Sequence, residues 1–204
     1  AACFIVILIN QGLKRYGGDL AIGAFGIVNR LVYIVVMIVM GLNQGMQPIA
    51  GYNYGARLYP RVTKVLKLTI VYATAVTTFG FVVGMAVPRL VVSIFTSDAE
   101  LIDLSARGLR IIVMFFPIIG FQMVTANFFQ SIGMAGKAIF LSLSRQLLIL
   151  LPCLLILPRF WGADGVWFSM PVSDFLASLV AAFMLIWQFR KFKSAAAASD
   201  ATMG

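Results

Sequence analysis

Long apolar stretches alternate with short polar ones along this chain. The apolar stretches cover about residues 1–13, 21–48, 68–87, 108–132, 138–157 and 166–189. A helix needs about 20 residues to cross the hydrocarbon core of a bilayer, and only the first stretch is clearly too short. The pattern therefore predicts an all-α polytopic membrane protein with six transmembrane helices. We expect the chain to begin inside the first of them, which is truncated.

Polar residues and helix breakers separate these stretches. Residues 14–19 (KRYGGD), 133–137 (GMAGK) and 158–165 (PRFWGADG) predict tight turns between antiparallel helices. Residues 88–104 form a longer acidic connector. The alanine-rich residues 194–204 predict a disordered cytoplasmic tail after the helical domain.

One uncharged stretch, GLNQGMQPIAGYNYGA at residues 41–56, combines glycines, a proline and four amides. Its glycines occur in two pairs that are four residues apart: Gly41 with Gly45, and Gly51 with Gly55. This spacing allows another helix to approach closely. Pro48 removes a backbone donor and disfavours helical geometry at Gln47. Two interpretations stay open, a helix end with a glycine-rich turn and a functional hinge.

The fourth stretch carries polar side chains at membrane depth. Pro117 predicts a bend, and Gln122 and Asn127 follow it on different helix faces. They could line a cavity or form hydrogen bonds between helices.

Composition excludes a soluble domain, because 61% of the residues are hydrophobic and 11% are charged, with a mean hydropathy of +0.98. The net charge of +9 indicates basic cytoplasmic loops and no nucleic-acid partner. The chain has no histidine, which excludes His-based metal sites and His-based catalysis. We expect no enzyme activity, no cofactor and no metal.

Basic residues predict the orientation. One set of connectors holds eight Lys and Arg and the opposite set holds four. The richer set comprises Arg57, Arg61, Lys64, Lys67, Lys137, Arg190, Lys191 and Lys193. Because cytoplasmic loops are enriched in Lys and Arg, we expect this set and the C-terminus to be cytoplasmic.

Asp174 is the only acid well inside a predicted membrane helix. Carboxylates in that position commonly serve ion or proton pathways. Arg145, on the preceding predicted helix, could instead hold Asp174 in a structural ion pair, since an antiparallel hairpin would bring the two within reach. Ion coupling and structural pairing both stay open.

Four strings resemble segments of the multidrug and toxic compound extrusion (MATE) transporters. They are RYGGDLAIGAFGI from Arg15, QPIAGYNYGA from Gln47, SRQLLILLPCLLILP from Ser144 and GADGVWFSMPVSD from Gly162. The second resembles the loop after the second helix of each half, and the last two resemble the final two helices. Residues 1–193 thus resemble the C-terminal six-helix lobe of such a transporter.

This resemblance implies half of a 12-helix, inverted V-shaped antiporter in a bacterial inner membrane. Two lobes would open alternately to each side and export small lipophilic cations, as drugs or toxic metabolites, in exchange for sodium or protons. The implied partners are the N-terminal lobe, the substrate and membrane lipids. Aromatic faces attract lipophilic cations, so the resemblance makes aromatic and amide side chains the candidate cavity residues: Tyr33, Gln44, Phe115, Phe116, Gln122 and Asn127. Family members often place an acid in the fourth helix of this lobe, and none is present here, which leaves the coupling ion open. A lipid-linked saccharide flippase and an inactive half-transporter fragment remain alternatives.

Overall fold

A computed structural model of the protein describes the backbone of residues 2–203 and the side chains of residues 4–192. The described backbone is helical throughout, apart from short connections. The helices are α1 (Ala2–Gly55), α2 (Tyr59–Ala86), α3 (Pro88–Ser93), α4 (Ala99–Val113), α5 (Phe116–Ser131), α6 (Ala135–Leu143), a π-helix (Ser144–Leu150) and α7 (Leu151–Met203).

Three helical runs are long and apolar enough to cross a membrane: Phe4–Gly55, Tyr59–Ala86 and Ala135–Phe192. Helices α4 and α5 make a fourth crossing when they are taken together, and they meet at a 55° bend. The bend predicted at Pro117 is present. Pro117 lies in the first turn of α5, where backbone N–H groups have no acceptor within the helix, so its missing N–H costs no helical hydrogen bond.

Two of these runs reverse direction at a single glycine. Gly18 has φ 69° and Gly162 has φ 57°, a region that glycine adopts without strain. Across Gly162, Arg145 and Asp174 lie 29 positions apart, which is about 43 Å in a straight helix, yet their side chains are in contact. Each run therefore contains two antiparallel limbs, and the bundle has six apolar segments.

The break at Gly18 is established by packing on α7. Gly12 lies against the Val166 side chain, while the ring of the adjacent Trp167 packs edge-on against Phe25 at 5.8 Å. In a straight helix, residues 12 and 25 would be about 20 Å apart. The chain therefore folds back between them, and both limbs of α1 pack on the same part of α7.

The connections are shorter than the sequence predicts. The predicted turn at residues 14–19 is helical except at Gly18, and the predicted turn at residues 158–165 is broken only at Gly162. Of the basic residues predicted in a loop before the third segment, Arg57 lies in the connection, while Arg61, Lys64 and Lys67 lie on α2, which begins at Tyr59. Helical hydrogen bonding satisfies the backbone wherever the chain nears lipid, which favours long helices over loops.

The interruption predicted at Pro48 is absent, because α1 continues to Gly55. Helix α5 holds this part of α1 from the side. Gln47 Nε2 donates to Asn127 Oδ1 at 3.4 Å, and a Cβ at Gly51 would lie 2.9 Å from the Ser131 carbonyl oxygen. These contacts with α5 support the helix next to Pro48, where proline removes a ladder bond.

Two hydrophobic cores stabilise the bundle. One includes Val28, Leu109 and Trp167, and the other includes Met46 and Phe128. The second core lies towards the end of the bundle where the Tyr59 and Phe192 rings stack at 5.2 Å. The start of α2 and the far part of α7 therefore share one end. We call it the basic end because the charged side chains described there are Lys and Arg.

The opposite end, which we call the acidic end, joins the remaining connections. Arg107 contacts Asp164 at 2.5 Å, and Arg89 contacts Asp103 at 2.9 Å. Asp98 caps α4 by accepting hydrogen bonds from the Glu100 and Leu101 N–H groups. The backbone of the predicted tail is helical through Met203, while the side chains of residues 193–204 lie outside the described residues, so its disorder stays a prediction.

Substitution of Gly120 tests the packing of α5 on α2. A Cβ there would lie 2.8 Å from both the Ala73 carbonyl oxygen and Thr77 Oγ1, so we expect Gly120→Ala to destabilise the bundle by about 1–3 kcal/mol. The matched control is Gly41→Ala, where a Cβ would meet no neighbouring atom within 4 Å. It should not destabilise the bundle, and the higher helix propensity of Ala should stabilise it by up to about 1 kcal/mol. Thermal unfolding of both variants in detergent measures the difference. Equal stability of both variants would contradict this packing.

Candidate transport site

Helix α5 and the α6–π-helix segment line a partly open cavity of about 150 Å³. We call it the polar cavity. Its lining residues are Gln122, Met123, Ala126, Asn127, Ser142, Arg145 and Gln146. The lining contains three amides, a hydroxyl and a guanidinium, and it contains no acid. Such a lining can form hydrogen bonds with a polar ligand at membrane depth.

Gln122 and Asn127 occupy different positions in the hydrogen-bond network of this cavity. Asn127 Nδ2 donates to the Met123 carbonyl at 2.9 Å, and its Oδ1 accepts from Gln47. Gln122 is buried, and its Oε1 has no hydrogen-bond partner among the described side chains and backbone. A buried polar atom without a partner is costly, so water or a ligand group is expected to complete the bonding of Gln122.

A second, wider depression of about 410 Å³ adjoins the polar cavity and shares Ala126, Asn127 and Ser142 with it. Its other lining residues include Gln130 on α5 and Ile139 on α6. The two depressions together form a surface that is polar along α5 and apolar along α6. An amphipathic molecule could contact both kinds of lining there.

An ion pair adjoins the polar cavity. Arg145 Nε donates to Asp174 Oδ1 at 2.7 Å. The Asp174 side chain is 6% exposed and the Arg145 side chain is 36% exposed, so the carboxylate lies behind the guanidinium. The guanidinium is the member of the pair that lines the cavity. The Asp174 charge thus reaches this cavity only through its partner.

Arg145 lies in the π-helix, and Pro152 follows it closely. Proline has no N–H and its ring clashes with the carbonyl four residues earlier, so an α-helix cannot continue unchanged through the preceding turn. The chain widens that turn, and the Leu151 N–H bonds to the Gln146 carbonyl five residues back. The wider turn sets the direction of the Arg145 side chain, and such π-helical turns are frequent at functional sites.

The other candidate cavity residues lie elsewhere. Tyr33 and Gln44 are exposed on α1, apart from the polar cavity. Phe116 is buried in a hydrophobic core, and Phe115 packs on Phe175 with ring centroids 5.2 Å apart. The structure therefore brings Gln122 and Asn127 together with the ion pair, and it does not bring the other four candidates into the same cavity.

The fold and this site can now be compared with known proteins. A family model described as MatE matches residues 3–155, which is most of the chain. This chain belongs to the MATE family. Its six-segment bundle is accordingly an integral membrane fold of that family.

Relatives of this MATE chain include proteins named multidrug export protein MepA. The one from Staphylococcus aureus (strain MSSA476) is 26% identical over 92% of this chain and 41% of its own length. The one from Staphylococcus haemolyticus (strain JCSC1435) is 24% identical over 88% of this chain and 39% of its own length. The chain thus spans about two-fifths of the curated relatives that it matches.

Among solved structures, a ligand complex of the MATE multidrug transporter DinF-BH is similar to this chain, with 37% sequence identity and a TM-score of 0.80. The match covers 94% of this chain and 43% of DinF-BH. DinF-BH has the same fold and is more than twice as long as the matched region. This MATE chain therefore corresponds to about half of a transporter.

The predicted hinge residues have distinct surroundings in this MATE chain. Gly41, Gly45 and Gly55 have no atom within 4 Å of a Cβ position, whereas Gly51 approaches the α5 backbone. Pro48 lies exposed within the continuous α1. Only Pro117 coincides with a change of helix direction.

Two lining residues, Ser142 and Gln146, do not stand out in the sequence by type. The feature that could have identified them is their spacing from Arg145. Residues 142, 145 and 146 lie on one helix face, so a polar face around the intramembrane arginine could have been predicted from spacing alone. Gln47 also contributes, through its bond to Asn127.

The ion pair can be tested by exchanging its charges. Removing Arg145 leaves the buried Asp174 carboxylate unpaired, which costs about 3–5 kcal/mol. We expect Arg145→Ala and Asp174→Ala each to reduce the yield of monodisperse protein severalfold. The double variant with exchanged charges, Arg145→Asp with Asp174→Arg, should recover part of it. Size-exclusion chromatography in detergent measures the yield.

The exposed pair Arg89–Asp103 at the acidic end is the matched control, because both of its side chains are more than half exposed. Exposed ion pairs contribute about 0–1 kcal/mol, so Arg89→Ala should leave the yield nearly unchanged. A double exchange at residues 145 and 174 without any recovery would argue against pairing as the reason why Asp174 is tolerated in a buried position.

Proposed function

We propose that this chain is the C-terminal lobe of a secondary active antiporter in a bacterial inner membrane. The complete transporter exports cationic amphipathic drugs or toxic metabolites in exchange for sodium or protons, and its two lobes open alternately to each side. Membership of the MATE family carries the proposal, together with relatives that are named multidrug export proteins. The proposed role is transport, without an enzymatic step.

An unpartnered stripe on α1 supports a second lobe. Exposed residues recur there at intervals of three, four or seven positions, which places them on one face of the helix. The stripe comprises Gly26, Tyr33, Met37, Gly41, Gln44 and Pro48. Small and polar residues are unusual on a purely lipid-facing surface and typical of helix contacts and cavity walls in membranes. We assign this face to the N-terminal lobe and the cleft between the lobes.

The proposed substrate contacts divide between two surfaces of this lobe. Tyr33 and Gln44 face the cleft from α1, and Phe115, Gln122 and Asn127 do so from the connection into α5 and from α5 itself. Aromatic rings attract desolvated lipophilic cations with about 2 kcal/mol or more, and amides accept hydrogen bonds from them. Alternating access would change which of these surfaces is open to each side.

The proposed coupling element is the Arg145–Asp174 pair. Asp174 is the only described acid away from the acidic end of the bundle. A proton on Asp174 would remove the charge that holds Arg145, and a sodium ion could compete with Arg145 for the same carboxylate. Either ion would release the guanidinium toward the polar cavity. Helix α5 contains no acid, so coupling carboxylates in the N-terminal lobe are the alternative.

An efflux assay on the complete transporter tests the function. Cells that overexpress it should retain at least severalfold less of a fluorescent lipophilic cation, and Asp174→Asn should remove most of this effect. Glu100→Gln is the matched control, because Glu100 is exposed at the acidic end, and it should export normally. Reconstituted alone, the present chain should not exchange substrate, because the cleft needs two lobes.

Unchanged dye retention on overexpression would count heavily against drug export. Translocation of a lipid-linked saccharide by the same reconstituted protein would instead establish the flippase alternative. Normal efflux by Asp174→Asn, with normal protein levels, would move coupling to the other lobe while leaving the export function in place.

A further inference from the structure

Cations at the basic end of the bundle lack acidic partners among the described side chains. Every described acid other than Asp174 lies at the acidic end, and the two exposed ion pairs lie there as well. The described cations of the basic end are Arg57, Arg61, Lys64, Lys67, Lys137, Arg190 and Lys191. Positive charge therefore accumulates at this end without internal compensation.

Two of these cations converge on one indole ring. Lys137 Nζ lies 4.7 Å from the centre of the Trp187 ring, and Lys191 Nζ lies 3.8 Å from it. A cation–π contact at an exposed site contributes only about 0.5–1 kcal/mol, while the two ammonium groups repel each other. An anion between them would remove this repulsion.

Lys137 is held in place before any ligand binds. Its Nζ donates to Gln188 Oε1 at 2.5 Å, and Gln188 is only 2% exposed. The centre of the Phe129 ring lies 5.1 Å from the same Nζ. A lysine that is fixed in this way loses less side-chain entropy on binding an anion than a freely moving one.

The start of α6 adds backbone donors beside Lys137. Lys137 is the third residue of this helix, and Met134 at its start provides no side-chain cap. The position beside Gly136 is open, since a Cβ there would meet no atom within 4 Å. Unpaired N–H groups at a helix start favour negatively charged oxygen atoms and strengthen an anion site that the lysines already form.

Apolar surface continues from this position along both helices. Trp187 is 47% exposed, and Phe140 and Leu143 on α6 and Leu179 and Phe183 on α7 are exposed as well. A free phosphate ion would use none of this surface, whereas a phospholipid would place its acyl chains along it. Indole rings also favour the headgroup level of a bilayer.

We propose that Lys137, Lys191 and Trp187 form a binding site for the phosphate group of an anionic phospholipid in the cytoplasmic leaflet. The phosphate lies between the two ammonium groups, and the acyl chains lie along the exposed apolar residues of α6 and α7. The proposed lipid site does not depend on the proposed transport function, so a failed efflux experiment would not count against it.

The experiment must separate a specific site from the general attraction of basic loops for anionic membranes, which is worth about 1 kcal/mol per Lys or Arg. Lys64 and Lys67 provide the matched control, because they are cations on α2 at the same end. The complete transporter in detergent is titrated with phosphatidylglycerol, phosphatidylcholine or inorganic phosphate, and bound lipid is counted by native mass spectrometry.

We expect phosphatidylglycerol to bind at least tenfold more tightly than phosphatidylcholine, and inorganic phosphate not to compete at millimolar concentration. Lys137→Gln with Lys191→Gln should weaken phosphatidylglycerol binding at least tenfold, and Lys64→Gln with Lys67→Gln less than twofold. If the first double variant does not fold, Lys191→Gln alone, compared with Lys64→Gln, gives the same test, because Lys191 is exposed.

Equal losses in the two double variants would overturn the proposal and leave only a general surface attraction. Effective competition by inorganic phosphate would overturn the lipid as the occupant. Equal affinity for phosphatidylcholine would show that the lysines do not recognise the lipid charge, and it would overturn the proposal as well.

Discussion

The structure depends on one constraint: backbone N–H and C=O groups that face hydrocarbon must be paired within the protein. Helices therefore run almost directly into each reversal, and the chain turns at single glycines, Gly18 and Gly162. The same constraint explains how prolines are accommodated. Pro48 lies in a helix that α5 supports from the side, and Pro152 is preceded by a π-helix that redirects the hydrogen bonds.

Polar side chains inside the membrane must also be paired, and the candidate functional groups therefore lie close together. Only one acid is buried among the described residues, and it is paired with Arg145. That pair adjoins the amides of α5, where Gln122 keeps an oxygen without a protein partner. In the transport function that we propose, the polar cavity provides a place where polar groups can exchange hydrogen-bond partners inside the membrane.

The sequence predicts the six apolar segments well, because length and hydropathy decide which parts of a chain can lie in a bilayer. It also predicts the bend at Pro117, and the heights of Arg145 and Asp174 indicate that they can meet. Helix contacts are harder to foresee. Gly108 packs on Trp167 and Gly120 on α2, while the glycines of the 41–56 stretch are mostly unpacked, and only the tertiary arrangement separates these cases. The shared position of Lys137, Trp187 and Lys191 likewise depends on how α6 and α7 are aligned.

Cysteine labelling tests the central claim, that the chain crosses the membrane as six antiparallel segments. Cys3 and Cys153 are replaced by serine, and single cysteines are introduced as Arg61→Cys, Arg190→Cys, Arg89→Cys and Arg159→Cys. An impermeant maleimide applied to intact cells should label positions 89 and 159, and it should label positions 61 and 190 only after permeabilisation. Labelling of positions 61 and 190 from opposite sides of the membrane would contradict the six-segment arrangement.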